Sequence, residues 1–283
     1  MYIYETIKAG PLHRVVVYPK LTRQEQRQRG PRTRITDAAR ARLNLKKSFE
    51  KLEALIAANF WRGFWWVTLT YRDADLPESR EAAQKILAGK FIPRVRKHWQ
   101  LHGAAPKYIY CTQSVQSDGS RRWHHHMVLN RCGSDDFDVL RSLWTWGDEI
   151  GVEIRWCSGR DQITDKARYM THEARDHGKQ KKGAREWTPS KNLTRPTVES
   201  CEVPEDVVPQ APMGAEVLDA ESPRNEYGGY HYLKYWLQAG PPEPAPVENF
   251  LASGEGITFE HRATKIPVHT DRGRRTGRSL DRQ

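Results

Sequence analysis

Four short segments dense in aromatic and β-branched residues restrict what this chain can fold into. FWWVTLTY (64–71), KYIYCTQ (107–113), RWHHHMVLN (122–130) and VEIRWC (152–157) each have the length and composition of a strand. SDGS, between the second and third, is a hairpin signal. The stretches between and around them read as helices. Thr36 can cap one running to about Asn59, with Asp37 in its first turn. A second is expected from about Ser79 to Gln100, kinked near Pro93, which lacks a backbone donor. Ser134 can cap a third through Ile150, and Asp161 can start a fourth reaching about Ala174. The resulting order is strand, helix, two hairpin strands, helix, strand, helix. It predicts an α+β fold, a mainly antiparallel central sheet with helices packed against it.

Charge narrows the partner. The 283 residues carry a formal net charge of +11, so a polyanion is the first candidate, although such charge also serves solubility alone. No apolar run is long enough to cross a membrane, and the N-terminus lacks the features of a secretory signal. Cys111, Cys132, Cys157 and Cys201 form no C-x-x-C pair, which suits reduced thiols and a cytoplasmic setting. No G-x-x-x-x-G-K-[ST] loop occurs, so no NTP-driven motor is expected in the chain. Composition divides it into a basic, helical N-terminal segment (1–60), a main domain (61–200), an acidic, Pro-containing linker (201–226) and a C-terminal accessory segment with a basic tail (227–283). Asn225 to Trp236, rich in aromatics, can add a strand or a short helix.

The histidine triplet is the first candidate for chemistry. Strand side chains alternate faces, so His124 and His126 share one face while His125 points the other way with Met127 and Leu129. Two imidazoles spaced this way can hold one divalent metal, and the same pattern also fits a solvated surface. On the last helix, Ile163, Ala167, Met170 and Ala174 form one apolar stripe. Tyr169 stands about 100° off that stripe, with Asp165, Lys166, His172 and Glu173 around it. A purely structural tyrosine more often sits inside the stripe.

These segments resemble the three motifs of the HUH endonuclease superfamily, specifically the rolling-circle replication initiators of plasmids and single-stranded DNA phages. FWWVTLTY resembles the first motif, RWHHHMVLN the His-hydrophobe-His motif, and ARYMTHEAR the helix with the catalytic tyrosine. The tyrosine follows the histidines, as in replication initiators; relaxases have the reverse order. The resemblance extends over about residues 30–200. It implies an RRM/ferredoxin-like HUH fold, Mg²⁺ or Mn²⁺ on His124 and His126, and Tyr169 as the nucleophile forming a 5′-phosphotyrosine link. It also implies origin DNA as substrate, with a host helicase and replication machinery as partners. Gln113 stands where the family often has a Glu ligand, and can either ligate the metal or orient a water. His172 stands where a Lys is common and stabilises anionic charge only when protonated, so Lys166 or Arg175 can substitute. An HUH transposase or mobilisation nickase, or a noncatalytic DNA-binding protein of this fold, are the alternatives.

DNA contacts follow from the same reading. Thr68, Thr70 and Tyr71 can touch the DNA backbone or simply favour a strand. Phe64, Trp65 and Trp66 can stack on bases or fill the core. Lys179, Lys181, Lys182, Arg185 and Lys191, with Trp187 among them, suit a backbone-binding patch or a solvated loop. Arg272, Arg274, Arg275 and Arg278 form a tail expected to add nonspecific electrostatic affinity.

Overall fold

The computed structural model describes residues 1–21, 37–115, 121–148, 151–176, 185–204, 206–225 and 228–238. Two antiparallel sheets of five strands and the helices between them make an α+β fold, as expected.

The main sheet has the order β6-β3-β5-β4-β7. It comprises β3 (Phe64–Thr70), β4 (Tyr108–Val115), β5 (Arg121–Leu129), β6 (Val152–Cys157) and β7 (Trp187–Pro189). The first four lie where aromatic and β-branched density put them. β7 falls in a stretch read as basic loop; it is only three residues long, too short to show alternation. β5, which carries the histidines, is the central strand. Gly63 enters β3 at φ 134°, and a Cβ there would collide with the Trp156 indole, so only glycine fits.

Each face of this sheet buries a separate core. On one side, Phe64, Trp66, Ile109, Cys111 and Val128 pack with Leu52, Ile56 and Phe60 of α1 (Asp37–Phe60). Ile163, Ala167 and Met170 of α5 (Gly159–Asp176) complete this layer, as their stripe predicts. On the other side, Val67, Leu69, Tyr71, Met127 and Leu129 pack beneath α2 (Arg80–Ile86), α3 (Ile92–Leu101) and α4 (Asp136–Leu143).

Two helix expectations are corrected. α2 and α3 join through a π turn, Leu87–Phe91, and Pro93 sits in the first turn of α3, where its missing N–H costs least. The distortion therefore lies ahead of the proline. The helix expected to reach Ile150 stops at Leu143, because Trp144 turns extended and packs into the core. Its indole Nε1 donates to the Thr70 carbonyl at 2.7 Å.

The second sheet, ordered β8-β1-β2-β12-β9, revises the division of the chain. β1 (Tyr2–Ala9) and β2 (Leu12–Pro19) form a hairpin in the segment read as basic and helical. β8 (Thr197–Val203) and β9 (Ala215–Glu221) occupy much of the stretch read as an acidic linker. β12 (His231–Leu237) lies between β2 and β9, and β10 (Arg224–Asn225) pairs separately with β11 (Gly228–Gly229). Charge disguises β8: its carboxylates face water and pair with lysines on β1 and just beyond β2, Glu199 with Lys8 at 2.6 Å and Glu202 with Lys20. Val15, Val17, Leu233 and Tyr235 form this sheet's own small core, while Ala9 and Leu12 join the core under α1. Met1–Pro242 form one compact unit; Glu243–Gln283, including the arginine tail, lie outside the described residues.

Candidate metal and nucleophile site

Strand register assembles the site. His124 stands opposite Thr70 on β3 and Gln113 on β4, and His126 opposite Thr68 and Cys111. All six residues therefore share the face covered by α5. His125, in register with Leu69 and Thr112, faces the other core.

The imidazoles differ in their partners. His125 is fully buried and bonded at both nitrogens, Nε2 to the Tyr71 hydroxyl at 2.7 Å and Nδ1 to the Thr112 hydroxyl at 3.0 Å. It is a packing residue. His124 donates from Nδ1 to the Arg122 carbonyl at 2.9 Å, which leaves the Nε2 lone pair available. His126 has Nδ1 at 3.1 Å from the Thr68 hydroxyl, and its Nε2 is buried without a partner. Gln113 donates from Nε2 towards the carbonyls of Tyr169 and Met170, at 3.3 and 3.4 Å, and its buried Oε1 has no partner. A buried acceptor left unmatched costs about 1–3 kcal/mol. Two such atoms on one sheet face beside a third free lone pair are what a divalent cation would satisfy, so these residues fit the metal that the resemblance implies.

Electrostatics favour ligation. Burial holds His126 well below the usual imidazole range, helped by the neighbouring histidines and Lys166. Burial also lowers His124, partly offset by the Arg122 carbonyl. Both are neutral at neutral pH, so a metal need displace no proton from them.

α5 brings the tyrosine to this face. The Tyr169 ring meets His126 edge-on with centroids 4.7 Å apart, and Trp66 at 5.8 Å. Trp66 stacks flat on His126 at 5.2 Å, fixing that ring from below. Tyr169 remains 44% exposed, open to an incoming strand. Burial raises its phenol pKa, with smaller contributions from Cys111 and Glu153. Lys166 lies over Trp66 at 4.7 Å, and His172 bonds through Nδ1 to the Tyr169 carbonyl. Lys166, Tyr169 and His172 thus gather beside the metal-binding face, as expected.

The DNA-contact residues divide. Thr68 holds His126, and Thr70 donates to the Gly151 carbonyl at 3.2 Å; both order the site from within. Tyr71 is buried in the opposite core, where its hydroxyl supports His125, so the structure removes it from any DNA surface. Phe64 and Trp66 are core residues as well, and Trp65 donates its indole N–H to Asp136 at 2.8 Å. Trp187 packs against the core under α1, with its N–H on Ser48 at 3.2 Å, and offers no open stacking platform. Arg185 and Lys191 are exposed. Lys179, Lys181 and Lys182 lie outside the described residues, as does the side chain of Arg175.

Sequence reasoning assigned Glu173 no role. Its carboxylate accepts from the Ser114 amide at 2.8 Å and the Ser114 hydroxyl at 3.1 Å, fastening α5 to the end of β4 one residue beyond Gln113. The signal was available, since Glu173 is one turn after Tyr169 and off the apolar stripe.

Residues 64–175 match a family model of replication-associated proteins, the ORF2 type, a stretch running from the start of β3 almost to the end of α5. No curated protein and no solved structure matches the chain. The family match covers β3 to β6 and the helix with Tyr169, and it supports a replication initiator family for this part of the protein.

Proposed function

We propose that this protein initiates rolling-circle replication by nicking, and later rejoining, one DNA strand through a 5′-phosphotyrosine intermediate on Tyr169. The observation that carries the reading is the meeting of Tyr169 with His126 on the face where His126 Nε2 and Gln113 Oε1 lack partners.

His124, His126 and Gln113 would hold a Mg²⁺ or Mn²⁺ ion, which when bound would polarise the scissile phosphate and offset its developing charge. The chain's own groups supply the rest. The Tyr169 hydroxyl oxygen attacks phosphorus, the bond from phosphorus to the 3′ oxygen breaks, and that oxygen takes a proton as the phenol loses one. One phosphodiester replaces another, so the reverse attack by a 3′-hydroxyl rejoins the strands. Because burial raises the Tyr169 pKa, the phenol needs positive charge nearby as it loses its proton. Lys166, fixed over Trp66, and a protonated His172 offer it. Arg185 and Lys191, with Lys179, Lys181 and Lys182, suit contacts to the DNA backbone. A helicase and polymerase from the host are the partners this activity requires.

The test is a covalent adduct. Labelled single-stranded origin DNA incubated with the protein and Mn²⁺ should yield a protein–DNA band on a denaturing gel. Tyr169→Phe should abolish the band while DNA binding persists, and His124→Ala should raise the Mn²⁺ requirement. Adduct formation undiminished in Tyr169→Phe would reject the assignment.

A further inference from the structure

The opposite side of the main sheet carries a second group of ligand atoms. His98 and His102, one turn apart on α3 and at its C-cap, have ring centroids 4.6 Å apart. Asp135 lies just ahead of α4, and one donor atom from each of the three residues falls within 4.8 Å of the other two. None of the three side chains makes a hydrogen bond or ion pair among the described residues. His98 Nε2 is sealed from solvent without a partner, and Asp135 does not cap its helix with its side chain.

We propose that His98, His102 and Asp135 form a second metal site, suited to Zn²⁺ or a similar borderline cation, that staples the end of α3 to the start of α4. Three arguments support it. Two imidazoles and a carboxylate are a donor set for zinc, whereas Mg²⁺ prefers oxygen ligands. The cation would also sit at the carboxyl end of α3, where unpaired carbonyls favour positive charge. Finally, the loop holding Asp135 is already fixed, because the neighbouring Asp136 carboxylate accepts from the Cys132 and Gly133 amides at 2.8 and 2.9 Å and from Trp65. His102 and Asp135 are exposed, so small rotations suffice to bring their donors to metal distance. The site faces away from Tyr169 and has a structural role: it clamps the helical layer that buries the reverse side of the histidine strand.

Zn²⁺ titration of the metal-free full chain in excess Mg²⁺, read by chelator competition and by melting temperature, tests this. The wild type should take up one tightly bound Zn²⁺ and melt at higher temperature with it. His102→Asn, a change at an exposed position, should lose both effects and keep Mn²⁺-dependent adduct formation. His126→Ala should retain the Zn²⁺ and its thermal effect. Equal Zn²⁺ uptake by wild type and His102→Asn would overturn the proposal, as would loss of the bound Zn²⁺ in His126→Ala alone.

Discussion

Adjacent histidines of one strand have different duties because their two faces meet different surroundings. His125 is held neutral by burial, its pKa pushed down to about 3, with the Tyr71 and Thr112 hydroxyls on its two nitrogens. The unfolded chain takes up this proton near pH 6.5 and the folded chain does not until about 3. The unfolded state therefore binds more protons between those values, and stability falls as pH drops through that window. Denaturant midpoints at about pH 5 should lie below those at about pH 8, and a flat profile would contradict the buried neutral imidazole. Tyr71→Phe strands His125 Nε2 and should cost about 1–3 kcal/mol in urea unfolding without abolishing Tyr169 reactivity. Gln113 poses the opposite case. Gln113→Glu adds charge where Oε1 lacks a partner, so half-maximal adduct formation should need less Mn²⁺. The same change removes the amide donor facing the Tyr169 and Met170 carbonyls, so the melting temperature should fall. A higher Mn²⁺ requirement in Gln113→Glu would argue against Gln113 as a ligand.

Among the elements, α5 matters most, since its seat decides where Tyr169 stands. Apolar packing of Ile163, Ala167 and Met170 sets its rotation, and two polar ties fix its position along the sheet. Glu173 grips Ser114 near its carboxyl end. Nearer the start, Thr164 donates to Glu53 of α1 at 2.9 Å. Glu53 is itself buried and receives Lys234 of β12 at 2.7 Å on both carboxylate oxygens. Removing one partner of a buried pair leaves the other charge uncompensated and typically costs about 3–5 kcal/mol. Lys234→Met should approach that loss in thermal unfolding, and Glu53→Leu combined with Lys234→Met should recover a large part of it. If Lys234→Met alone left the melting temperature unchanged, the tie would be dispensable.

At the scale of the whole molecule, the second sheet buttresses the chemistry without touching it. Its hairpin, β1 and β2, contributes Ala9 and Leu12 to the core under α1, and β12 anchors Glu53. Strands from both ends of the compact unit meet in it, so shortening the chain into its second sheet should unseat α1 and, through α1, α5. Ending the chain after Pro242 spares every described strand and removes Arg272, Arg274, Arg275 and Arg278. That truncation should keep adduct formation and melting temperature while weakening DNA binding. The slope of log affinity against log salt should shrink by about 3 if all four arginines reach phosphates. An unchanged slope would mean that the tail takes no part in binding.

The local code determined the four strands of the main sheet, the face shared by His124 and His126, and the stripe that sets Tyr169 apart. Period-2 alternation and 3.6-residue spacing are short-range properties, and both were legible in the chain. Tertiary structure decided the rest. Only register across β4 and β5 shows that Gln113 stands opposite His124 with an unmatched oxygen. Only packing shows that Tyr71, Trp66 and Trp187 serve the interior, because an aromatic on a strand reads alike whether it meets a core or a base. The second sheet was hidden for the same reason. Its pairings join residues far apart in the chain, as Ile3 with Glu202, and its acidic strand looks like linker until Lys8 and Lys20 are set beside it. Alternation gives a residue its face; what lies across that face is settled by contacts distant in sequence.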